Sequence, residues 1–407
     1  MTTQMQDAWV VATTRTPVGK APRGAYRATR PDTLLAHVLR RVLAQVPSID
    51  PARVDDVIVG CAMPEYEQGM NVARIGVLLA GLPPGVPGMT INRFCSSGLN
   101  AVSVAADRIR TGEADIVIAA GTESMTMIPM LGRLALNADV FEGDENVGIA
   151  YGMGLTTEKL AAKWNVSRED QDAFALASHR KALAAQAGGE FDREISPVDV
   201  VAREPDLASG RVVERRHSVA RDEGPRADTS AESLARLRPV FAAKGSVTAG
   251  NSSQMSDGAA ASILVSERIL REQDLAPLAR WCGYAAAGVP PEFMGIGPVK
   301  AVPRALKIAG IRQQDLDWIE LNEAFAAQSL AVIRDLDLDP AKVNPLGGAI
   351  ALGHPLGATG AVRTATIVHG MRRRGLKYGL VTMCVGTGMG AAGIFEAVAD
   401  EAGRQRT

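Results

Sequence analysis

The chain holds 407 residues with 44 basic and 45 acidic side chains, so its formal charge of −1 offers no overall field for nucleic acid or an anionic membrane. Aromatic residues are only 4% of the chain, too few for a base-stacking platform, and no apolar run approaches the roughly 20 residues of a membrane span. At about 100 to 200 residues per domain the length allows two or three domains around a large core, and the scattered Cys61, Cys95, Cys282 and Cys384 suggest neither a metal site nor a disulfide framework.

The stretch Met1 to Asp7 has no basic or apolar leader character, and Arg404 to Thr407 carries no recognisable sorting signal. A cytoplasmic protein without a membrane span is expected. Short Val/Ile/Ala runs alternate with helical stretches, the pattern of an α/β fold with buried strands.

In chain order, a helix is predicted over Thr33 to Gln45, a strand over Val54 to Gly60, then Ile91-Asn92 and Ser97-Gly98, a helix from Leu99 to Arg110 and a strand from Asp115 to Gly121. The same order returns about 262 residues later: a helix at Lys300 to Ala309, a strand at Leu316 to Asn322, Val343-Asn344, Thr359-Gly360, a helix from Ala361 to Arg374 and a strand from Tyr378 to Cys384. Two related halves are one reading; chance similarity of α/β units is the other. Between them, helical Glu158 to Gln186 and the charged Arg203 to Asp228 read as an inserted domain, since long excursions usually have a task. The mixed signs of Arg211, Glu214, Arg215, Arg216, Arg221, Asp222, Glu223 and Arg226 exclude a simple polyanion tail and leave room for one phosphate contact.

Cys95 immediately precedes a predicted helix. Free N–H groups and the helix dipole at such a place stabilise a thiolate, lowering a cysteine pKa from about 8.5 to as little as ~3.5; the alternative is a small buried hydrophobe. The matching place in the second half is the loop from Gly347 to Gly360, where His354 lies among glycines that let backbone pass close to a ligand or another loop. If the halves are related, Cys95 and His354 face each other across a pseudo-dyad as nucleophile and base. Cys384 ends a predicted strand and enters a glycine-rich run to Gly393. The run is open to a dinucleotide-loop reading or to one in which its N–H groups line an oxyanion hole. Asn322, at another strand end, either caps the next helix or holds a water or carbonyl oxygen.

Four motifs together, Cys95-Ser96-Ser97-Gly98, Asn322-Glu323-Ala324-Phe325, Gly353-His354-Pro355 and Cys384-Val385-Gly386-Thr387-Gly388-Met389-Gly390, resemble those of the thiolase family over essentially the whole chain. The resemblance implies a duplicated, layered αβαβα core with an inserted loop domain that covers coenzyme A. The expected boundaries are 1–127 plus 254–277 for the first half, 128–253 for the loop domain and 278–407 for the second half. It implies Cys95 as the acylated nucleophile, His354 as its base and Cys384 as the acid/base. Asn322 with His354 would form one oxyanion hole, and the N–H groups of Cys95 and Gly386 the other. Coenzyme A, as a co-substrate and not a permanently bound cofactor, would meet Arg226, Ser233, Ala249, Ser253, Met153 and Phe325; no metal is implied.

Within that family, Gly152 stands where acetoacetyl-CoA thiolases typically have histidine, which leaves room for a longer acyl chain and resembles degradative 3-ketoacyl-CoA thiolases. The implied reaction is ping-pong thiolytic cleavage of 3-oxoacyl-CoA by CoA to acetyl-CoA and a shortened acyl-CoA, as in fatty acid β-oxidation. The alternatives are an acetyl-CoA acetyltransferase working on short chains or in condensation, a ketoacyl synthase, which generally uses two histidines where this chain has Cys384 at the second site, and a non-catalytic acyl-CoA binder. A homodimer or homotetramer is expected, and a hydratase/dehydrogenase subunit is a conceivable partner.

Overall fold

The computed structural model describes residues 5–130 and 135–398. The terminal stretches judged to carry no leader or sorting signal are therefore only partly within it, with 1–4 and 404–407 outside. Its strands are β1 (Ala8–Arg15), β2 (Gly19–Lys20), β3 (Asp56–Gly60), β4 (Gly88–Ile91), β5 (Ile116–Ser124), β6 (Val198–Asp206), β7 (Arg211–Val219), β8 (Ser256–Ser266), β9 (Ala279–Gly288), β10 (Trp318–Leu321), β11 (Tyr378–Val385) and β12 (Met389–Ala397).

The two halves are structural repeats. In the first, β3 pairs parallel with β5, β5 antiparallel with β8, and β8 antiparallel with β1. In the second, β10 pairs parallel with β11, β11 antiparallel with β12, and β12 antiparallel with β9. A short antiparallel seam, Trp9 opposite Arg280 and Val10 opposite Ala279, joins them into one sheet path. β4 forms one edge.

Between the sheet halves lie two central helices, Ser97–Arg110 and Leu356–Arg374. The second is buried on nearly every side from Leu356 to Met371, as a helix sandwiched between sheets must be. Leu99, Val102 and Ile109 of the first share a core with Ile367, Val368 and Met371 of the second and with Trp281, Trp318 and Phe395. Outer helices Pro31–Leu43 and Val72–Ala80 cover the first sheet half, and Gly297–Ala309 covers the second. That gives the five αβαβα layers.

The central helices cross where both lack side chains. A Cβ on Gly98 would lie 2.6 Å from the Ala361 nitrogen, and one on Gly360 would lie 2.2 Å from the Leu99 nitrogen. These contacts are mates under the repeat: Gly98 meets the residue after Gly360, and Gly360 the residue after Gly98. Backbone touching backbone brings the loops before both helices together.

Two expectations change. The helical stretch Glu158 to Gln186 is two helices, Met153–Lys163 and Arg168–Ala187, because Asn165 adopts a left-handed φ of 50° and Ser167 caps the second by accepting from the Asp170 N–H. The charged segment from Arg203 is not irregular at its start: β6 and β7 form a hairpin pairing Val198 with Val219. Val198, Val200 and Ala202 point inward while the residues between them face solvent.

Candidate active site

Cys95 sits in a single 3-10 turn, Phe94–Ser96, leading directly into the central helix. The turn is tightly held. Phe94 takes a left-handed φ of 43°, its N–H donates to Asn92 Oδ1 at 2.8 Å, and Ser97 Oγ accepts from the Arg93 N–H at 2.8 Å while donating to the Phe94 carbonyl at 2.7 Å. The thiol is half-buried, and the N–H groups of Gly386 and of Cys95 itself point at it. Removal from water outweighs those donors and pushes the thiol pKa up to about 11. Of the two readings of Cys95, the helix start is present, and burial works against it.

Gly386 belongs to the Gly386-Thr387-Gly388 turn joining β11 to β12. Because a strand and not a helix follows these glycines, the dinucleotide-loop reading is excluded. Cys384, fully buried at the end of β11, packs with Val247, Met294, Ala324, Phe325 and Met153. Burial first, and then the nearby Cys95 sulfur, push its pKa up further.

His354 lies in the loop before the second central helix. Its N–H donates to Ser256 Oγ at 3.0 Å, its Nδ1 is 2.6 Å from Thr359 Oγ1, and its Nε2 is 3.4 Å from Asn322 Nδ2. Burial, reinforced by Arg363, pulls the imidazole pKa down to about 3, so the ring is neutral at physiological pH. Asn322 does not cap the following helix, whose N-cap position is Phe325; its buried Oδ1 has no hydrogen-bond partner among the described residues. The structure thus brings Cys95, Cys384 and Gly386 together and pairs His354 with Asn322. Cys95 packs against a cluster of Ala62, Met63, Ile128 and Leu356, the last lying two residues from His354, yet no hydrogen bond joins Cys95 to His354 among the described residues.

Two buried carboxylates missed by the sequence reading hold these loops. Glu123 accepts from the N–H groups of Ala62 and Gly357, both at 2.8 Å, and from Gln68 Nε2 at 2.6 Å, tying the first half to the His354 helix. Glu323 accepts from Ser178 Oγ at 2.6 Å, Asn344 Nδ2 at 2.9 Å and the Ile350 N–H at 3.2 Å, fixing the loop that leads to His354. Burial raises both carboxyl pKa values, and the donors oppose that rise. Glu323 stood inside a quoted motif; Glu123 had no local signal.

A mostly apolar cavity of about 300 Å³ opens beside Cys95, lined by Met63, Phe94, Met130, Leu136, Tyr151, Met153 and Gly386 among others. A Cβ at Gly152 would meet nothing within 4 Å. A second cavity of about 280 Å³ gathers Arg226, Ser233 and Ala249 with Lys20, His179 and Gln254. The Arg226 guanidinium is exposed and pairs with Asp228 at 3.2 Å, while its N–H donates to His179 Nδ1 at 3.2 Å. Ser233 Oγ is engaged in the cap at Ser230. Ser253 is half-buried, its N–H bonded to the Ala324 carbonyl at 2.9 Å, and Phe325 and Met153 lie beside Cys384. Lys20 and His179 were not anticipated; both are remote in sequence from the other lining residues.

This layered fold, with two cysteines and a histidine converging where its repeats cross, defines a thiolase-type protein. The chain belongs to the thiolase family: the description "Thiolase, N-terminal domain" matches residues 8–268 and "Thiolase, C-terminal domain" matches 275–397. It is 49% identical to the 3-ketoacyl-CoA thiolase of Bacillus subtilis (strain 168), over 96% of this chain and 100% of that one. Among solved structures it is similar to the Bacillus anthracis acetyl-CoA acetyltransferase, with a TM-score of 0.88 and 40% identity over 98% of this chain and 100% of that one. Human mitochondrial 3-ketoacyl-CoA thiolase gives a TM-score of 0.87 and 38% identity over 97% and 100%.

Proposed function

We propose that this chain is an acetyl-CoA C-acyltransferase that cleaves 3-oxoacyl-CoA with CoA, yielding acetyl-CoA and an acyl-CoA two carbons shorter. The observation that carries the reading is a half-buried thiol at the wall of an apolar cavity that Gly386 also lines, with the buried thiol of Cys384 near it.

In this reading His354 Nε2 takes the Cys95 proton as sulfur attacks the C3 carbonyl carbon. The N–H groups of Cys95 and Gly386 hold the resulting oxyanion; one such donor is worth about 2.7 to 4 kcal/mol. Collapse breaks the C2–C3 bond and leaves the acyl group on Cys95. The departing electron pair becomes the enolate of acetyl-CoA, whose oxygen is met by protonated His354 and by Asn322 through a water. Cys384 gives its proton to the enolate carbon. Its thiolate then takes the proton of incoming CoA, whose sulfur displaces Cys95 from the acyl group, and the proton on His354 returns to Cys95.

The cavity beside Cys95 is the proposed acyl site, and the one at Arg226, Ser233 and Ala249 the proposed coenzyme A site, with Met153, Phe325 and Ser253 along the route to the thiols. Segment 128–253 is the proposed covering domain between the halves 1–127 plus 254–277 and 278–407; positions 1–4, 131–134 and 399–407 lie outside the described residues. Among the described residues no helix is long and apolar enough to cross a membrane, which is compatible with the proposed cytoplasmic location. The open edge at β4, with Tyr66, Met70 and Met89 exposed nearby, supports a homo-oligomer. A hydratase/dehydrogenase subunit remains a proposal carried by the family resemblance.

Thiolysis of acetoacetyl-CoA and of a medium-chain 3-oxoacyl-CoA, followed by loss of enolate absorbance, tests the reading. A higher kcat/KM on the longer substrate is expected, because the apolar cavity beside Cys95 favours added methylenes, each worth about 0.8 kcal/mol when buried. Equal or better use of acetoacetyl-CoA assigns an acetyl-CoA acetyltransferase instead. No turnover of either assigns a binding protein.

A further inference from the structure

Thr359 lies five residues beyond His354, fully inside the first turns of Leu356–Arg374. A buried helical threonine commonly turns its hydroxyl to the carbonyl four residues back. Thr364 of this helix does so, onto Gly360 at 2.8 Å, while the Thr366 hydroxyl meets the Glu194 carboxylate at 2.9 Å and the Val362 carbonyl at 3.3 Å. The Thr359 hydroxyl instead meets the imidazole, 2.6 Å from Nδ1.

On the other side of the ring, Asn322 presents its amide nitrogen to Nε2 at 3.4 Å. In this orientation of the amide its nitrogen donates, and the ring nitrogen facing it offers a lone pair. A neutral imidazole has one N–H, which then resides on Nδ1 and is donated to Thr359 Oγ1. The geometry holds the plane of the ring and favours that tautomer, through a residue on the rigid helix that follows His354.

We infer that Thr359 is the positioning residue of His354: its hydroxyl accepts the Nδ1 proton and keeps the Nε2 lone pair available to take a proton. This rests on the proposed role of His354 as the base for Cys95. In the acylation step the Cys95 proton moves to Nε2, the ring becomes imidazolium, and Thr359 continues to accept from Nδ1. No proton needs to pass through Thr359.

The test combines 15N NMR of histidine-labelled full-length protein with thiolysis kinetics of Thr359→Val and Thr359→Ser. The chain has five histidines, and His354→Asn assigns the resonance of interest. In the wild type, Nδ1 of His354 should be protonated and Nε2 not; Thr359→Val should populate the opposite tautomer. Because general-base catalysis contributes ~10² to 10⁴, Thr359→Val should lower kcat about 10- to 100-fold with KM changed less than about twofold, and Thr359→Ser should stay within about threefold of wild type. A wild-type proton on Nε2, an unchanged kcat in Thr359→Val, or a serine variant as impaired as the valine one overturns the inference. If Thr359→Val does not fold, the wild-type tautomer and the serine variant still decide it. The NMR result does not depend on turnover, so a wild type with the expected tautomer but no thiolysis would overturn the acyltransferase reading alone.

Discussion

The two halves have the same strand pairing and the same central helix, yet the residues just before those helices differ in kind. In the first half a compact turn holds a half-buried thiol against a cavity; in the second a long glycine-rich loop buries an imidazole. The repeat supplies two related positions ahead of the crossing helices, and the proposed chemistry comes from making them unequal. Burial acts on both in the same sense: it pushes the Cys95 thiol up to about 11 and the His354 imidazole down to about 3, so both rest uncharged. In the proposed reaction the pair is then a neutral thiol and a neutral base, and charge would develop as the proton moves to His354.

Removing the thiol breaks this comparison most severely. Cys95→Ala should lower thiolysis by at least about 10⁴-fold, while Cys384→Ala should lose about 10² to 10⁴ and still be alkylated by iodoacetamide at Cys95. Mass spectrometry of the alkylated peptide together with steady-state rates separates the two roles; an active Cys95→Ala enzyme would end the mechanism. A smaller effect is expected where the halves touch. Gly360→Ala should destabilise by about 1 to 3 kcal/mol, with Gly98→Ala less affected because its clash is milder, as measured by urea unfolding. The least dramatic effect concerns acidity. Burial raises the Cys95 pKa, so thiolate is scarce at neutral pH and grows about tenfold per pH unit until that pKa is reached. The rate of Cys95 alkylation should climb with that slope from pH 7 to 10; a plateau near neutrality would show that the helix start outweighs burial.

Much of this arrangement was legible because the motifs fall at the ends of strands and the starts of helices, where backbone geometry demands particular residues. The offset relating Cys95-Ser96-Ser97-Gly98 to the loop before Gly360 was visible, and the matching sheet paths confirm that it reflects structure. The second central helix was predicted to begin at Ala361 but begins at Leu356. A helix buried on all sides has no polar stripe to mark its phase, and the glycines and Pro355 disguise its start. The β6–β7 hairpin was hidden for the opposite reason: its outward charges dominate the sequence while only alternate small and branched residues face the core. Glu123 and Thr359 were overlooked because a buried polar group is defined by its partners. Those of Glu123 stand at Ala62, Gln68 and Gly357, and no spacing rule connects them. The choice between the two readings of Cys95 was not legible because the helix start is a local feature of the chain, whereas the packing that competes with it is not.

The crossing of Gly98 and Gly360 also bears on how such a sequence can drift. Each glycine is walled by backbone beside the other, Gly98 by Ala361 and Gly357 and Gly360 by Leu99, although the two lie 262 positions apart. Enlargement at either one is felt by the main chain of the opposite half and cannot be relieved by trimming a side chain there, since the nearest atoms are main-chain nitrogens. The two sites are therefore frozen as a pair, and the gap between the two reacting loops is inherited as a backbone dimension that neighbouring substitutions leave untouched.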